Sequence, residues 1–308
     1  IFFNKVELIH IRGYQPIIFL YPILLFKKLK IIFDIRGFWP EEKIDRNNWS
    51  KNNWIYKVFK ILEKYFFKYS KIIICLTKHS KEIIIENHNI DKNKIHIIPT
   101  CSSKIKFNIN EELISTNKII NEEFIKIGYL GTTIGAYNFN KTLELIKTLI
   151  DNNIKFKFYV YTFDDKKNLV TKFKKNKINK NFYFIKNINY DNIEKYLSQL
   201  DFVIFYLNNN YSIKASFPTK ICECLLSGVP IICNKFNKDI EYIIKNNDFI
   251  YGFENENLDL KELKEFIFKI IKNKKKYKIL INNFANKKYE NTIAFKNYIN
   301  IYQNLINV

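Results

Sequence analysis

Short runs of β-branched and aromatic residues recur along the chain, each followed by a longer stretch with apolar positions three or four apart. The short runs read as strands at residues 6–11 (VELIHI), 31–35 (IIFDI), 72–76 (IIICL), 95–99 (IHIIP) and 124–130 (FIKIGYL). Further strands are expected at 156–163 (FKFYVYTF), 182–186 (FYFIK), 202–207 (FVIFYL), 229–234 (VPIICN) and 248–253 (DFIYGF). The longer stretches read as helices at 16–29, 53–69, 79–88, 140–150, 192–200, 218–227 and 239–245, with a last helical region at 260–306. One strand alternating with one helix predicts an α/β fold of doubly wound parallel sheets. The polar stretch at 108–122 lacks a strand pattern and divides the chain. The expected organisation is therefore a first domain over 1–107, a linker over 108–122, a second domain over 123–284, and a helix over 285–308 that returns to the first domain. Two such sheets in tandem face a cleft, with ligands at the carboxyl ends of the strands.

Composition adds three constraints. At 308 residues and 47% apolar, the chain builds two cores, which excludes a disordered class. The net charge of +21 comes from lysines interleaved with Asn and Ile along the whole length, a solvated surface, so nucleic acid is not an expected partner. Five cysteines without regular spacing form neither a disulfide framework nor a metal site, which points to a reducing cytoplasm; Cys222 and Cys224 lie two apart on a helix and face different sides. The longest apolar run, residues 16–26, is shorter than the ~20 residues of a spanning helix. The chain starts at Ile1 and holds no methionine, so the first domain reads as truncated.

The scarce residues carry the chemistry. Arginine occurs only three times, and two of the three sit in matching settings, "HIRGY" (Arg12) and "DIRGF" (Arg36). Each follows a strand and precedes a glycine, placing His10, Arg12, Asp34 and Arg36 at the edge of the first sheet. Trp39, Glu41 and Glu42 follow in "FWPEEK" as a mixed-charge loop with an aromatic platform. In the second half, "GYLGTTIGAY" puts Gly131, Thr132, Thr133 and Gly135 in a turn after a strand, close enough for backbone amides to meet a phosphate. The stretch "ASFPTKICECLLSGVPIICN" predicts a short helix with Ser216 as N-cap, Pro218 in the first turn and Gly228 at C′. Ser216, Thr219, Lys220, Glu223 and Ser227 share one side of it, while Ile221, Cys224, Leu225 and Gly228 share the packing side. An anion at that N-terminus would meet the amides of Thr219 and Lys220 and the Lys220 ammonium; Glu223, one turn on, would accept from a ribose diol. Asp164 and Asp165 read as a solvated turn.

"SFPTKICECLLSGVPII" resembles the signature of the retaining GT-B glycosyltransferases of family 4, the group 1 type. The likeness continues in "GYLGTTIGAY", "YLSQLDFVIFYL", "IFDIRGFWPEE" and "IIPTC", and spans roughly residues 6–250. The resemblance implies a GT-B fold of two Rossmann-like domains. It also implies transfer of a sugar, with retained anomeric configuration, from a nucleotide-sugar donor to a glycan or lipid-linked acceptor in surface polysaccharide or glycolipid synthesis. No cofactor or metal is expected. By that analogy Glu223 holds the donor ribose, and Lys220 with Gly131, Thr132, Thr133, Ser216, Pro218 and Thr219 holds the diphosphate. His10 lies near the transferred sugar; His10, Arg12, Arg36 and Lys220 form the catalytic set; Asp34, Arg36, Trp39 and Glu41 form the acceptor side. Two departures stand out: Ala215 where the family often has a further glutamate, and Thr132 and Thr133 where many members carry a basic residue. A sugar-nucleotide epimerase of the same fold and a basic nucleic-acid-binding protein are the alternatives. The basic segment "PIIFLYPILLFKKLK" predicts a peripheral position on an anionic bilayer, at the inner face of the cytoplasmic membrane.

Overall fold

The computed structural model describes residues 6–26, 29–103, 124–188, 193–254 and 258–306; the expected linker at 108–122 lies outside the described residues. The first domain runs β1 (Leu8–Arg12), α1 (Gln15–Phe26), β2 (Lys30–Asp34), α2 (Trp39–Asp45), α3 (Trp54–Tyr69), β3 (Ile72–Cys75), α4 (Lys78–His88) and β4 (Ile95–Ile97). Its four strands are parallel, in the order β1-β2-β3-β4. The second domain runs β5 (Ile125–Leu130), α5 (Phe139–Asp151), β6 (Phe156–Thr162), α6 (Lys166–Lys175), β7 (Tyr183–Asn187), α7 (Ile193–Leu197), β8 (Phe202–Phe205), α8 (Thr219–Leu226), β9 (Ile231–Asn234), α9 (Lys238–Asn246) and β10 (Ile250–Phe253). Three helices close the chain: α10 (Leu260–Lys272), α11 (Lys274–Lys288) and α12 (Asn291–Ile306).

The second sheet is parallel, in the order β10-β9-β8-β5-β6-β7. Starting from β5, the chain builds outward through β6 and β7, then returns to build outward on the other side through β8, β9 and β10. The reversal between β5 and β8 is a topological switch point, and ligands of open α/β sheets bind outside the carboxyl ends of the strands that flank one. Burial on both faces explains the near-continuous apolar runs of β8 and β9, all of whose residues are buried. The expected α/β architecture of two Rossmann-like GT-B domains is the observed one.

Two helices escape the sequence expectation. The "FWPEE" stretch forms α2 rather than a loop, with Pro40 in its first turn and Glu41 and Glu42 at its positive end. The turn at Asp164–Asp165 opens α6, whose first amides at Lys167 and Asn168 are capped by the Asp165 carboxylate. α12 lies on the first sheet: Ile301 packs with Ile32, Ile74 and Ile98, and Lys30 Nζ donates to the Leu305 carbonyl at 2.6 Å.

The two domains are pinned at several points. The Thr100 hydroxyl donates to the Phe217 carbonyl at 2.7 Å and the Cys222 thiol donates to the Thr100 carbonyl at 2.8 Å. The Asp239 carboxylate, in the first turn of α9, accepts from the amides of Lys78 and His79 at 2.8 and 2.9 Å, so it fills the positive end of α4 across the junction. Asp45, at the end of α2, accepts from the Ser212 amide at 3.0 Å. These contacts fix how the carboxyl edge of one sheet faces that of the other.

Candidate functional site

The switch point carries the residues singled out from sequence. β5 delivers the chain to Gly131, whose φ of +89° favours glycine and whose backbone runs beside Lys220, since a Cβ there would lie in ordinary contact with Nζ at 3.5 Å. The following loop is held firmly. Tyr129 donates to the Thr132 carbonyl at 2.6 Å, and Asp164 Oδ2 accepts from the Thr133 amide at 2.6 Å and its hydroxyl at 2.5 Å. Lys172 Nζ reaches the Thr133 carbonyl and hydroxyl, both at 3.3 Å. Asp164 is therefore a loop-ordering residue of this site, which corrects its reading as solvated surface.

From the other side of the switch point, α8 begins at Thr219, with Pro218 in the N-cap position and no side-chain cap. Ser216 is not the N-cap: its hydroxyl donates to the Ser212 carbonyl at 3.3 Å, inside the 3-10 turn Tyr211–Ala215. The far end is as expected. Gly228 (φ +70°) donates to the Leu225 carbonyl and Val229 to that of Cys224, the paired bonds of a Schellman ending. Thr219 is exposed, so the N-terminus of α8 opens to solvent.

The polar side of α8 turns inward. Lys220 is 9% exposed and Glu223 3%. The Lys220 ammonium donates to the Leu130 carbonyl and lies 3.4 Å from the ring centroid of Tyr137, with Tyr129 at 4.7 Å and Phe205 at 5.6 Å. Burial pushes the Lys220 pKa down to about 7, while the Glu223 carboxylate is among the groups pulling it back up. Burial likewise pushes the Tyr137 phenol up. A cation thus sits beneath a glycine loop and behind an open helix N-terminus, in surroundings that disfavour its charge.

The first domain presents a second cluster. His10 Nδ1 lies 2.5 Å from the Tyr302 hydroxyl, and its Nε2 is 3.7 Å from Asp34 Oδ2. Asp34 is fully buried and accepts from the Tyr298 hydroxyl at 2.7 Å. Arg12 lies opposite Asp34 in the β1–β2 register, and Arg36 takes φ +54° just beyond β2. Burial and the Asp34 carboxylate push the Tyr298 phenol up, against the pull of Arg36 and Arg12. His10, Arg12, Asp34 and Arg36 are thus gathered as expected, but under two tyrosines of α12 that the sequence did not point to.

Trp39 and Glu41 belong elsewhere. Trp39 packs edge-on against Trp49 and Phe59, at 5.1 and 4.8 Å between ring centroids, so it is part of the first core rather than an open platform. Glu41 is 8% exposed, accepts from the Tyr56 hydroxyl at 3.0 Å and pairs with Lys60 at 3.1 Å. The third arginine takes a place that was not foreseen: Arg46, with Asp45 and Glu42, faces Gly135, Asn210 and Ser216 across a small interdomain cavity. Its scarcity was the available signal. Among the described residues, no group of three or more His, Cys, Asp or Glu side chains is arranged to hold a metal ion, and no helix is long and apolar enough to cross a membrane.

Comparison with known proteins places these features in context. Residues 110–287 match the family model of group 1 glycosyl transferases, and residues 1–101 that of glycosyltransferase family 4. An uncharacterized glycosyltransferase of Methanocaldococcus jannaschii is 23% identical over 299 residues, covering 94% of this chain and 72% of the relative. Among solved structures, a glycosyltransferase from Rickettsia africae superposes with a TM-score of 0.72 at 16% identity, over 98% of this chain and 77% of that one. Sucrose-phosphate synthase from Thermosynechococcus elongatus gives 0.71 at 10% identity, over 97% and 74%. HepE of Anabaena, solved in complex with UDP-glucose, gives 0.70 at 10% identity, over 98% and 79%.

Proposed function

Because the chain belongs to the group 1 glycosyl transferases, we propose that it moves a sugar from a nucleoside-diphosphate donor to a glycan or lipid-linked acceptor, with retention at the anomeric carbon. The observation that carries this reading is the convergence of the Gly131–Thr133 loop, the solvent-open N-terminus of α8 and the Lys220 ammonium at one switch point. The complex of HepE with UDP-glucose, a protein of the same fold, supports it. The diphosphate meets the first amides of α8, and Lys220 takes up the charge that grows on the leaving group as the glycosidic bond breaks. Glu223, one turn further along α8, holds the ribose. The acceptor hydroxyl attacks from the leaving-group side, and the departing phosphate oxygen takes its proton, so no protein nucleophile enters the step. His10, Arg12 and Arg36 border the acceptor and the transferred sugar from the first domain, with Asp34 ordering them.

This reading assigns charge neutralisation to Lys220 and the helix amides rather than to a metal, so turnover persists in excess chelator; strict dependence on an added divalent cation overturns that part. It places the enzyme in surface polysaccharide or glycolipid synthesis, at the inner face of a cytoplasmic membrane. A panel of nucleotide sugars screened by thermal shift identifies the donor, since a ligand that binds only the folded chain raises its apparent stability. Glu223→Ala abolishes the shift, and a shift of unchanged size in that variant refutes the ribose assignment. Incubating the donor without acceptor yields no isomerised sugar; an isomerised product would make the chain an epimerase instead.

A further inference from the structure

α3 is amphipathic in an unusual way. Its inner face buries Phe59, Leu62, Glu63, Phe66 and Phe67. Its outer face does not turn polar. Trp54 is 71% exposed, Val58 38% and Ile61 69%, at the i, i+4, i+7 spacing of one stripe. Lys57, Lys64 and Lys68 line one flank of that stripe, and all three are exposed. The only acid of the helix, Glu63, is 1% exposed beneath the Tyr14 hydroxyl and Lys60. The exposed face of α3 is thus apolar and cationic, with no anion. α1 runs alongside, joined through the Tyr21 and Tyr65 rings at 4.8 Å, and leaves Phe19 78% exposed. Its helical sequence, QPIIFLYPILLF, carries no charge.

Exposed single apolar side chains are ordinary, but a stripe of them flanked by lysine alone has the composition of a helix that lies in a membrane interface. A protein partner of matching shape would bring an acidic rim; a bilayer rich in anionic headgroups supplies both that rim and an apolar floor. The position fits the chemistry as well, because the chain passes from Arg46, which lines the interdomain cavity, through one loop to Trp54.

We propose that the outer face of α3 is a bilayer-docking surface: Lys57, Lys64 and Lys68 meet anionic phospholipid headgroups while Trp54, Val58 and Ile61 enter the boundary with the acyl chains. It deepens the acceptor side of the proposed function and rests on that reading for its purpose, since it brings a lipid-linked acceptor to the mouth of the cleft. Lipid binding itself requires no turnover, so the two can fail separately.

The test is flotation of the full chain with vesicles of phosphatidylcholine alone or mixed with phosphatidylglycerol. The chain floats with the mixed vesicles, less so as salt rises. Removing the three lysine charges (Lys57→Gln, Lys64→Gln, Lys68→Gln) weakens partitioning about a hundredfold, at about fivefold for each lysine near the surface. Trp54→Ser with Ile61→Ser removes the apolar anchor and abolishes binding. The chain is basic throughout, so an equal charge removal on α6 (Lys166→Gln, Lys167→Gln, Lys174→Gln) is the control and keeps most of the binding. Tryptophan emission moves to the blue on mixed vesicles and this shift is lost in the Trp54→Ser variant, because Trp54 is 71% exposed while Trp39 and Trp49 are half-buried against the first core. Each variant's thermal melting and its donor-induced thermal shift match the parent's. Equal binding to both vesicle types, equal loss in the α6 control, or undiminished binding of the Trp54/Ile61 variant overturns the proposal. So does a concentration-dependent dimer of the parent that this variant abolishes, which would make the stripe a contact between copies.

Discussion

Lys220 gives the sharpest consequence of the site's construction. In the folded chain its ammonium is buried among Tyr137, Tyr129 and Phe205 and donates to the Leu130 carbonyl, and burial pushes its pKa from 10.5 down to about 7 against the pull of Cys224, Glu223 and Asp164. That displacement corresponds to about 5 kcal/mol against the charged form, as an order of magnitude. The sign for stability follows directly. The unfolded chain keeps the proton up to a pH near 10.5 and the folded chain releases it near 7, so the unfolded state binds more protons between these values. This residue's contribution therefore makes the free protein gain stability as pH rises through that window, and the gain is lost as pH falls. On the proposed function, a nucleotide sugar reverses the balance, because its diphosphate would stabilise the ammonium. Binding then takes up a proton, and affinity falls by up to tenfold for each pH unit above about 7 until the pKa of the bound state is reached. Titration calorimetry in two buffers of different ionisation heat reads the uptake directly. An intact nucleotide sugar is the ligand of choice because its diphosphate does not titrate in this range. Uptake approaching one proton at a pH of about 8.5, absent in Lys220→Met, is the expected result. A binding heat independent of buffer, with affinity flat across the window, refutes the coupling of Lys220 to the diphosphate.

Three further outcomes test the framework around the site. Asp164→Ala removes a charged acceptor from the Thr133 amide and hydroxyl, so it costs about 1.5–3 kcal/mol in chemical denaturation and weakens donor binding through the loosened loop; an unchanged midpoint and affinity would show that Asp164 does not order the loop. Gly128→Ala puts a Cβ 2.1 Å from Leu200 Cδ1, and the overpacking lowers stability by about 1–3 kcal/mol, read as a fall in melting temperature. Tyr298→Phe deprives the buried Asp34 carboxylate of a hydroxyl donor and costs about 1–3 kcal/mol; equal stability would mean that α12 does not hold Asp34 through that hydroxyl.

The strands were the most legible part of the fold. Each of the ten expected strands is present over three to seven residues, because strands of a parallel sheet with helices on its faces are selected to be apolar and β-branched; the half-exposed edge strand β7 still showed through its aromatic residues. α2 was concealed by its brevity and its mixed charge, although Pro40 and two glutamates in the first turn are helix-start signals. α6 was concealed by lysine: only Leu169 and Phe173, four apart, are buried in it. At the site, helical spacing put Lys220 and Glu223 together, and both turn inward, whereas Thr219, grouped with them in the sequence, faces solvent. Spacing could not reveal that Lys220 lies against the rings of Tyr129, Tyr137 and Phe205, because these come from β5, the loop after it and β8, far from α8 in the chain. The same holds for Tyr298 and Tyr302, which reach His10 and Asp34 from more than 260 residues away. Local pattern shows which side chains travel together, and only the packed domains show what covers them.

A crystal structure of the chain with a nucleoside-diphosphate sugar decides whether the donor sits at α8. The expected density places the diphosphate against the first amides of α8, with the Lys220 ammonium turned from the Leu130 carbonyl towards a phosphate oxygen and the ribose hydroxyls on Glu223. A nucleotide seated away from α8, with Lys220 still capped by that carbonyl, would contradict that placement.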